Sequence, residues 1–242
     1  MQETTALYKS IISGPYSCRV KLEVYSRDGE TLVGTWNMDK IFNLSTAQAM
    51  INDDTQLIGN CMAGSINVQF VPTDPLFGRE VEIPRMARLV PYVQVYNDTD
   101  TSEWIQKGVF FVDTRARNYT TLVLTGYDAM LMAEADYPSD DESEYPKTDI
   151  EIVEYIADYL GVDVDERSYD VIDAAYELGL PIGYSCREVL SGIATLYGAN
   201  FVITDKGKLR AIGIGDIGKN VCYLATEDGK VILIGGEAIN VY

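Results

Sequence analysis

Residues 18–33 read Cys18-Arg19-Val20-Lys21-Leu22-Glu23-Val24-Tyr25-Ser26-Arg27-Asp28-Gly29-Glu30-Thr31-Leu32-Val33. From Cys18 to Val24 apolar and polar side chains alternate, the period of a strand with one buried face. Arg27-Asp28-Gly29-Glu30 supplies a turn, since Asp-Gly suits a backbone that must visit positive φ. Thr31-Leu32-Val33 then resumes the strand. Working outward, the same pattern predicts strands over 64–71, 88–96, 108–114 and 120–126, with a polar, acidic loop from Asn97 to Glu103 and one short helix over 46–51. Many short strands separated by turns argue for an antiparallel barrel or sandwich.

After Tyr127 the period changes. Residues 136–144 are acidic and contain Pro138 and Ser139, with Pro146 following, which reads as a linker or exposed loop. Thr148 and Glu151 have the spacing of a capping box. Ile150, Val153, Ala157 and Leu160 recur at helical spacing, and Gly161 ends the run. Ser185 and Glu188 repeat the box, Leu190, Ile193 and Tyr197 form the stripe, and Gly198 is the stop. Strands follow over 200–204 and 208–212, turning at Asp205-Lys206-Gly207. A last hairpin is expected over 221–225 and 231–234, turning at Glu227-Asp228-Gly229. Residues 238–242 alternate like the opening of another strand, as in a truncated chain. The fold class is therefore mainly β with an α+β insert: an antiparallel β-barrel or sandwich, then a small α/β domain. The expected division is a β-barrel-like domain over 1–133, an acidic linker over 134–147, a small α/β domain over 148–215, and strands of a following or returning β domain over 216–242.

Composition narrows the function. The chain has 242 residues, 47% apolar and 23% charged, in the ordinary globular range. Nineteen basic residues against thirty-seven acidic ones leave a net charge of −18. Such a chain repels the phosphate backbone of a duplex and an anionic membrane surface. The first seven residues lack the basic flank and apolar stretch of a secretion signal, and no run approaches the ~18 apolar residues of a membrane helix. The expectation is a soluble protein made in the cytoplasm, in which the sequons at Asn43, Asn97 and Asn118 are coincidental.

Chemistry is hard to place. There is no histidine, which removes Ser-His-Asp triads, Cys-His pairs and histidine metal sites. Cys18, Cys61, Cys186 and Cys222 form no CxxC pair; they read as small buried apolar residues of a reducing compartment, and spacing leaves one disulfide open. The carboxylates Asp140, Asp141, Glu142 and Glu144 are the densest cluster, yet they lie in a polar segment rather than the apolar setting a glycosidase acid needs. Asn97, Asp98, Asp100 and Glu103 offer oxygens but lack the EF-hand glycine and glutamate. Gly213-Ile214-Gly215 follows a hairpin rather than opening a βαβ unit, so it is a poor dinucleotide fingerprint. The seventeen tyrosines suit strand packing, protein interfaces and sugar-binding surfaces alike. No catalytic, cofactor-binding or metal-binding residue is assigned, and no cofactor is expected.

Several segments in order carry a resemblance. They are Gly64-Ser65-Ile66-Asn67-Val68; Ile83-Pro84-Arg85-Met86-Ala87-Arg88-Leu89-Val90-Pro91-Tyr92; Glu103-Trp104-Ile105-Gln106-Lys107-Gly108-Val109-Phe110-Phe111-Val112-Asp113; and Leu124-Thr125-Gly126-Tyr127-Asp128-Ala129-Met130. The helix over 148–160 follows, then Ser185-Cys186-Arg187-Glu188-Val189-Leu190 and Gly198-Ala199-Asn200-Phe201. This order resembles the baseplate-hub proteins at the tip of phage and prophage tails from Gram-positive bacteria. The resemblance implies a homotrimer in the full-length protein, with tail-tube-like β-barrel domains forming a pseudo-sixfold ring under the tube. It implies distal-tail and tail-tube proteins as partners, a place at the virion tail tip, DNA passing through a lumen without being bound, and no enzymatic activity. The alternative class is a carbohydrate-binding or receptor-binding β-module; a carboxylate enzyme ranks third.

The change of period and the acidic, Pro-containing join generate a prediction. Limited proteolysis of the intact chain nicks first between Asp136 and Pro146. First cleavage inside the β-rich stretch, with the join protected, would contradict this boundary.

Overall fold

The computed structural model describes residues 4–48, 50–51, 57–71, 83–118, 120–138, 144–174, 176–214, 233–234 and 237–238. A short helix α1 (Ala6–Ile12) precedes the strands β1 (Ser17–Tyr25), β2 (Leu32–Asn37), β3 (Ile41–Ala47), β4 (Ser65–Phe70), β5 (Arg88–Tyr96), β6 (Ile105–Gln106), β7 (Phe110–Arg117) and β8 (Leu122–Tyr127). These eight strands form one antiparallel sheet in the order β2-β1-β5-β7-β8-β4-β3, with β6 beside β5. The chain is thus mainly β, as its alternation predicts.

Alternation sets the inner face. Leu22 and Val24, Ile66, Val68 and Phe70, and Leu122 and Leu124 are buried at every second position. One cluster joins them to Trp36 and Ile41, which come from the two edge strands. The sheet therefore curls. Trp36 of β2 meets Phe70 of β4 edge-on with ring centroids 5.3 Å apart, although the two strands stand near opposite ends of the order. Bulges at Val24/Tyr25, Ile41/Asn43 and Val112/Thr114 add local twist to this curl.

The expected barrel is not closed: among the described residues no ladder joins β2 to β3. The reason lies in the turn between them. The Lys40 N–H bonds the Asn37 carbonyl, and the Lys40 carbonyl then accepts from Val71 N–H, so the chain leaves β2 and pairs with β4 from Ile41 onward. The helix expected over 46–51 is also absent at its start. Thr46 and Ala47 continue β3, opposite Ile66 and Ser65. A cross-strand partner outweighs the weak helical preference of so short a run.

The second half contains β9 (Lys147–Thr148), α2 (Asp149–Tyr159), β10 (Glu177–Leu178), α3 (Cys186–Leu196), β11 (Ala199–Ile203) and β12 (Leu209–Gly213). Both capping boxes form. Thr148 Oγ1 accepts from Glu151 N–H and Ser185 Oγ from Glu188 N–H, while each glutamate reaches back to its cap backbone. Gly161 and Gly198 sit at φ of 69° and 59° just past the helices, where a side chain would be strained. The buried faces are Ile152, Val153, Ile156 and Ala157 on α2, and Val189, Leu190, Ile193 and Ala194 on α3. They pack on Phe201, Ile203 and Leu209 of the β11–β12 hairpin, together with Cys61, Ala129, Met130 and Ala133 from earlier in the chain.

The hairpin expected over 221–225 lies outside the described residues. Leu233 and Ile234 form β13 and pair with Ala238 and Glu237 of β14 (Glu237–Ala238). Helix α1 had no sequence signal; Thr5 caps it by accepting from Tyr8 N–H at 3.1 Å, and Ile11 anchors it.

The caps generate the second prediction. Thr148→Ala and Ser185→Ala each lower stability by about 0.5–2 kcal/mol, read as a shift in the urea midpoint with unchanged slope. An unchanged midpoint in both variants would contradict the assigned caps.

Candidate functional site

Residues from several of the segments quoted above, Gly64, Asp128, Met130, Arg187 and Asn200, meet at one place, the junction between the curled sheet and the helical half. Arg187, the second residue of α3, is its centre. Its Nη1 donates to the Cys61 carbonyl and its Nη2 to the Met130 carbonyl at 2.8 Å. Its Nε lies 2.9 Å from a Glu134 carboxylate oxygen, close enough for an ion pair though off the line of an N–H bond. Beside it, residues 57–61 lie along β11. Gly59 N–H bonds the Ala199 carbonyl and Phe201 N–H the Asn60 carbonyl, both at 2.8 Å. Buried Asn200 completes the seam: its Oδ1 accepts from Asn60 N–H at 2.7 Å, and its Nδ2 donates to the Leu57 carbonyl at 2.9 Å. Ser191 Oγ donates to the Gly59 carbonyl at 2.6 Å. A second tie crosses from β6, where Gln106 Nε2 donates to the Asp205 carbonyl at 2.7 Å and Lys107 lies 3.7 Å from the Asp205 carboxylate.

Asp128 closes β8 onto the following 3-10 turn, residues 129–134. Its carboxylate accepts from Gly64 N–H at 2.7 Å and Met130 N–H at 3.0 Å. Gly64 is required by space: a Cβ there would stand 2.7 Å from Asp128 Oδ2. Burial pushes the Asp128 carboxyl up to about 7, against the two amide donors and the Arg187 charge, which pull it down. Asp128 and Gly64 line a cleft of about 300 Å³ with Gln48, Lys107, Phe110 and Asp205. That set holds one perturbed carboxyl, Asp128, and one lysine paired with Asp205. It fits a polar brace between two packed halves.

The other residues raised by the sequence do not converge. Asn97 Oδ1 accepts from Thr99 N–H and Asp100 N–H within its own turn, and Glu103 is turned to Thr5 N–H and Oγ1 at 2.9 and 2.6 Å. Asp140, Asp141 and Glu142 lie outside the described residues, as does Gly215; Glu144 pairs with Lys147 at 2.7 Å. Among the described residues no three Asp, Glu or Cys side chains are placed to share a metal ion. Cys61 and Cys186 are buried free thiols, and burial pushes the Cys61 thiol up to about 12. Cys18 corrects the expectation: it is exposed, near the start of β1 and on the face that Leu22 and Val24 bury further along. Cys222 lies outside the described residues. Tyr16, Tyr159, Tyr169, Tyr176 and Tyr184 are exposed, so tyrosine serves the surface as well as the packing. Sequence reasoning assigned no role to Asp128, Arg187, Asn200 or Gly64, although each stands in a quoted segment; Asn60 had no signal.

Asp128 gives a pH prediction. Its folded value, about 7, is above its ordinary 3.8, so its stabilising contribution is full below pH ~4 and lost as pH rises through ~7. Asp165, held down to about 2 chiefly by its Arg167 partner, works in the opposite sense at lower pH. Urea denaturation therefore shows stability declining from pH ~5 to ~8, a slope that Asp128→Asn flattens. The same slope in the variant would contradict the assignment.

No protein-family model matches the chain, and no curated protein matches it in sequence. Solved structures do. The 43 kDa tail protein of prophage MuSo2 from Shewanella oneidensis superposes with a TM-score of 0.51 at 16% identity, covering 88% of this chain and 58% of that one. A prophage tail protein, gp18, from Listeria monocytogenes gives 0.48 at 9% identity over 86% of this chain and 55% of its own. A tail protein from Neisseria meningitidis gives 0.47 at 12% identity over 82% and 51%. The chain spans a little over half the length of these proteins, and it has the fold of the corresponding part of the Shewanella oneidensis prophage tail protein.

Proposed function

We propose that the chain is a structural component of a phage or prophage tail tip, where it forms the baseplate hub joining the tail tube to the distal tip. The observation that carries this reading is the shared fold with a prophage tail protein over 88% of the chain. The junction supports it, because the segments that carry the hub resemblance brace two halves against each other instead of forming a reaction centre. In this reading the sheet, residues 1–133, is the hub's tube-like domain. Residues 134–147 are the linker, 148–215 the small α/β domain, and 216–242 the opening of the next β part. The full-length protein is a homotrimer that contacts tail-tube and distal-tail proteins and has no enzymatic role.

The edge strands suit such an assembly. β2 and β3 stand at the two edges of the sheet among the described residues, and Leu32, Val33 and Phe42 on them are exposed, Phe42 at 72%. The surplus of acid residues favours a lumen to which DNA does not adhere. No helix among the described residues is long and apolar enough to cross a membrane.

The reading is tested on particles. Antibodies raised against this chain, applied to purified virions or tail-like particles and viewed by negative-stain microscopy, label the end of the tail distal to the head. Label at the head, along the tail shaft, or on the host surface with none on particles would overturn it.

A further inference from the structure

Outside the junction, the outer face of the β1–β5 pair carries an arrangement that the hub reading does not use. Tyr92 of β5 and Trp104, just before β6, form one wall of a groove of about 510 Å³. Lys206 and Lys208, from the β11–β12 turn, form the other, with Gln106 between them. Lys21 bridges the two rings, its Nζ lying 4.3 Å from the Tyr92 ring centroid and 5.3 Å from that of Trp104. The Tyr92 hydroxyl is bonded to Glu23, so that ring is held in place. Tethering of the β11–β12 turn to β6, through Gln106 Nε2 and the Asp205 carbonyl, fixes the width of the groove.

In a chain of net charge −18, two lysines, Lys206 and Lys208, face two aromatic rings; the third, Lys21, is paired with Glu23 at 2.7 Å and serves to hold the rings. The one carboxylate in the groove wall, Glu103, is turned to Thr5. Lys208 has a loose partner, Asp163 at 3.6 Å, whose side chain is 83% exposed; such a pair competes weakly with a ligand. Lys206 forms no ion pair among the described residues and is exposed. Half-buried aromatic faces take the apolar faces of sugar rings, and lysines take point charges such as carboxylate or phosphate. A nucleic acid brings a phosphate on every nucleotide to a strongly acidic protein, whereas a saccharide can carry uncharged rings between its acid groups.

We propose that this groove binds an anionic polysaccharide, with sugar faces on Trp104 and Tyr92 and acid groups on Lys206 and Lys208. The proposal does not rest on the tail-tip reading. It is tested on the whole chain by titration with an oligogalacturonate, with a poly(glycerol phosphate) carrying sugar substituents, with dextran and with single-stranded DNA. Tryptophan fluorescence and calorimetry are the readouts. Trp36 is buried in the core, so a fluorescence change reports Trp104. At ~0.01 M salt, where screening is weak, one or both anionic saccharides bind saturably, and which of them binds separates carboxylate from phosphate recognition. Trp104→Ala and the pair Lys206→Glu with Lys208→Glu each weaken binding about tenfold or more, with the far-ultraviolet circular dichroism unchanged. Lys40→Glu, on the turn before β3, leaves binding as it was. Four outcomes would overturn the proposal: no saturable binding of either anionic saccharide, undiminished binding by the groove variants, equal affinity for dextran, or tighter binding of the DNA.

Discussion

A guanidinium carries five N–H donors in a rigid fork, and a fork of that shape fixes whatever oxygens it spans. In this chain the fork of Arg187 spans the carbonyls of Cys61 and Met130, with the Glu134 carboxylate beside it. Those oxygens come from the stretch before β4 and the turn after β8, which flank the two neighbouring strands β4 and β8. One helical residue thereby fixes one end of the strand pair, where Ser65 stands opposite Tyr127, against α3. Asp128 and Gly64 close the same corner from the sheet side, and Asn200 and Asn60 close it from β11. Buried polar groups stabilise only when each has its partner, and here the partners are supplied from opposite halves, so neither half is complete at this corner without the other.

The sheet depends on that corner in turn. It curls far enough for Trp36 and Phe70 to touch, yet its edge strands are left apart. The inner face is filled from every strand order position, so curl follows from burial; closure would need β2 and β3 to share a ladder, and the turn at Lys40 directs β3 to β4 instead. A sheet of this kind has its apolar surface inside and its hydrogen-bonding capacity at two edges. That combination suits a building block of a larger assembly better than it suits a solitary domain.

Charge is distributed unevenly over this frame. Most acidic groups are exposed and solubilising, whereas cations are drawn onto aromatic rings: Arg19 over Tyr96, Lys21 over Tyr92 and Trp104, and Arg88 over Tyr25, all on the β1–β5 face. The register explains it. Lys21 stands opposite Tyr92 and Tyr25 opposite Arg88, so cross-strand neighbours become cation–π partners. Structural bracing and a surface with recognition chemistry thus occupy different faces, and neither needs a catalytic group.

The amino-acid sequence by itself determined what is decided within a few residues. The alternation of Cys18 to Val24, the Asp28-Gly29 turn, the boxes Thr148/Glu151 and Ser185/Glu188, and the stops at Gly161 and Gly198 all read correctly, because strand period, turn geometry and caps involve near neighbours. The mainly β class followed from them. Only the tertiary structure decided the rest. Thr46 and Ala47 are strand because Ile66 and Ser65 lie opposite; Cys18 is exposed, although it shares a face with Leu22 and Val24, because it stands at the end of β1 before the buried cluster begins; and Asp128 is a brace because Gly64 comes to it from 64 residues away. The Asn60–Asn200 bond joins residues 140 apart, and the lysine-flanked groove exists only because the β11–β12 turn docks on β6. Contacts at such separations leave no periodic trace in a single chain, since the identity of each partner is set by how the strands stack and not by the residues that adjoin it.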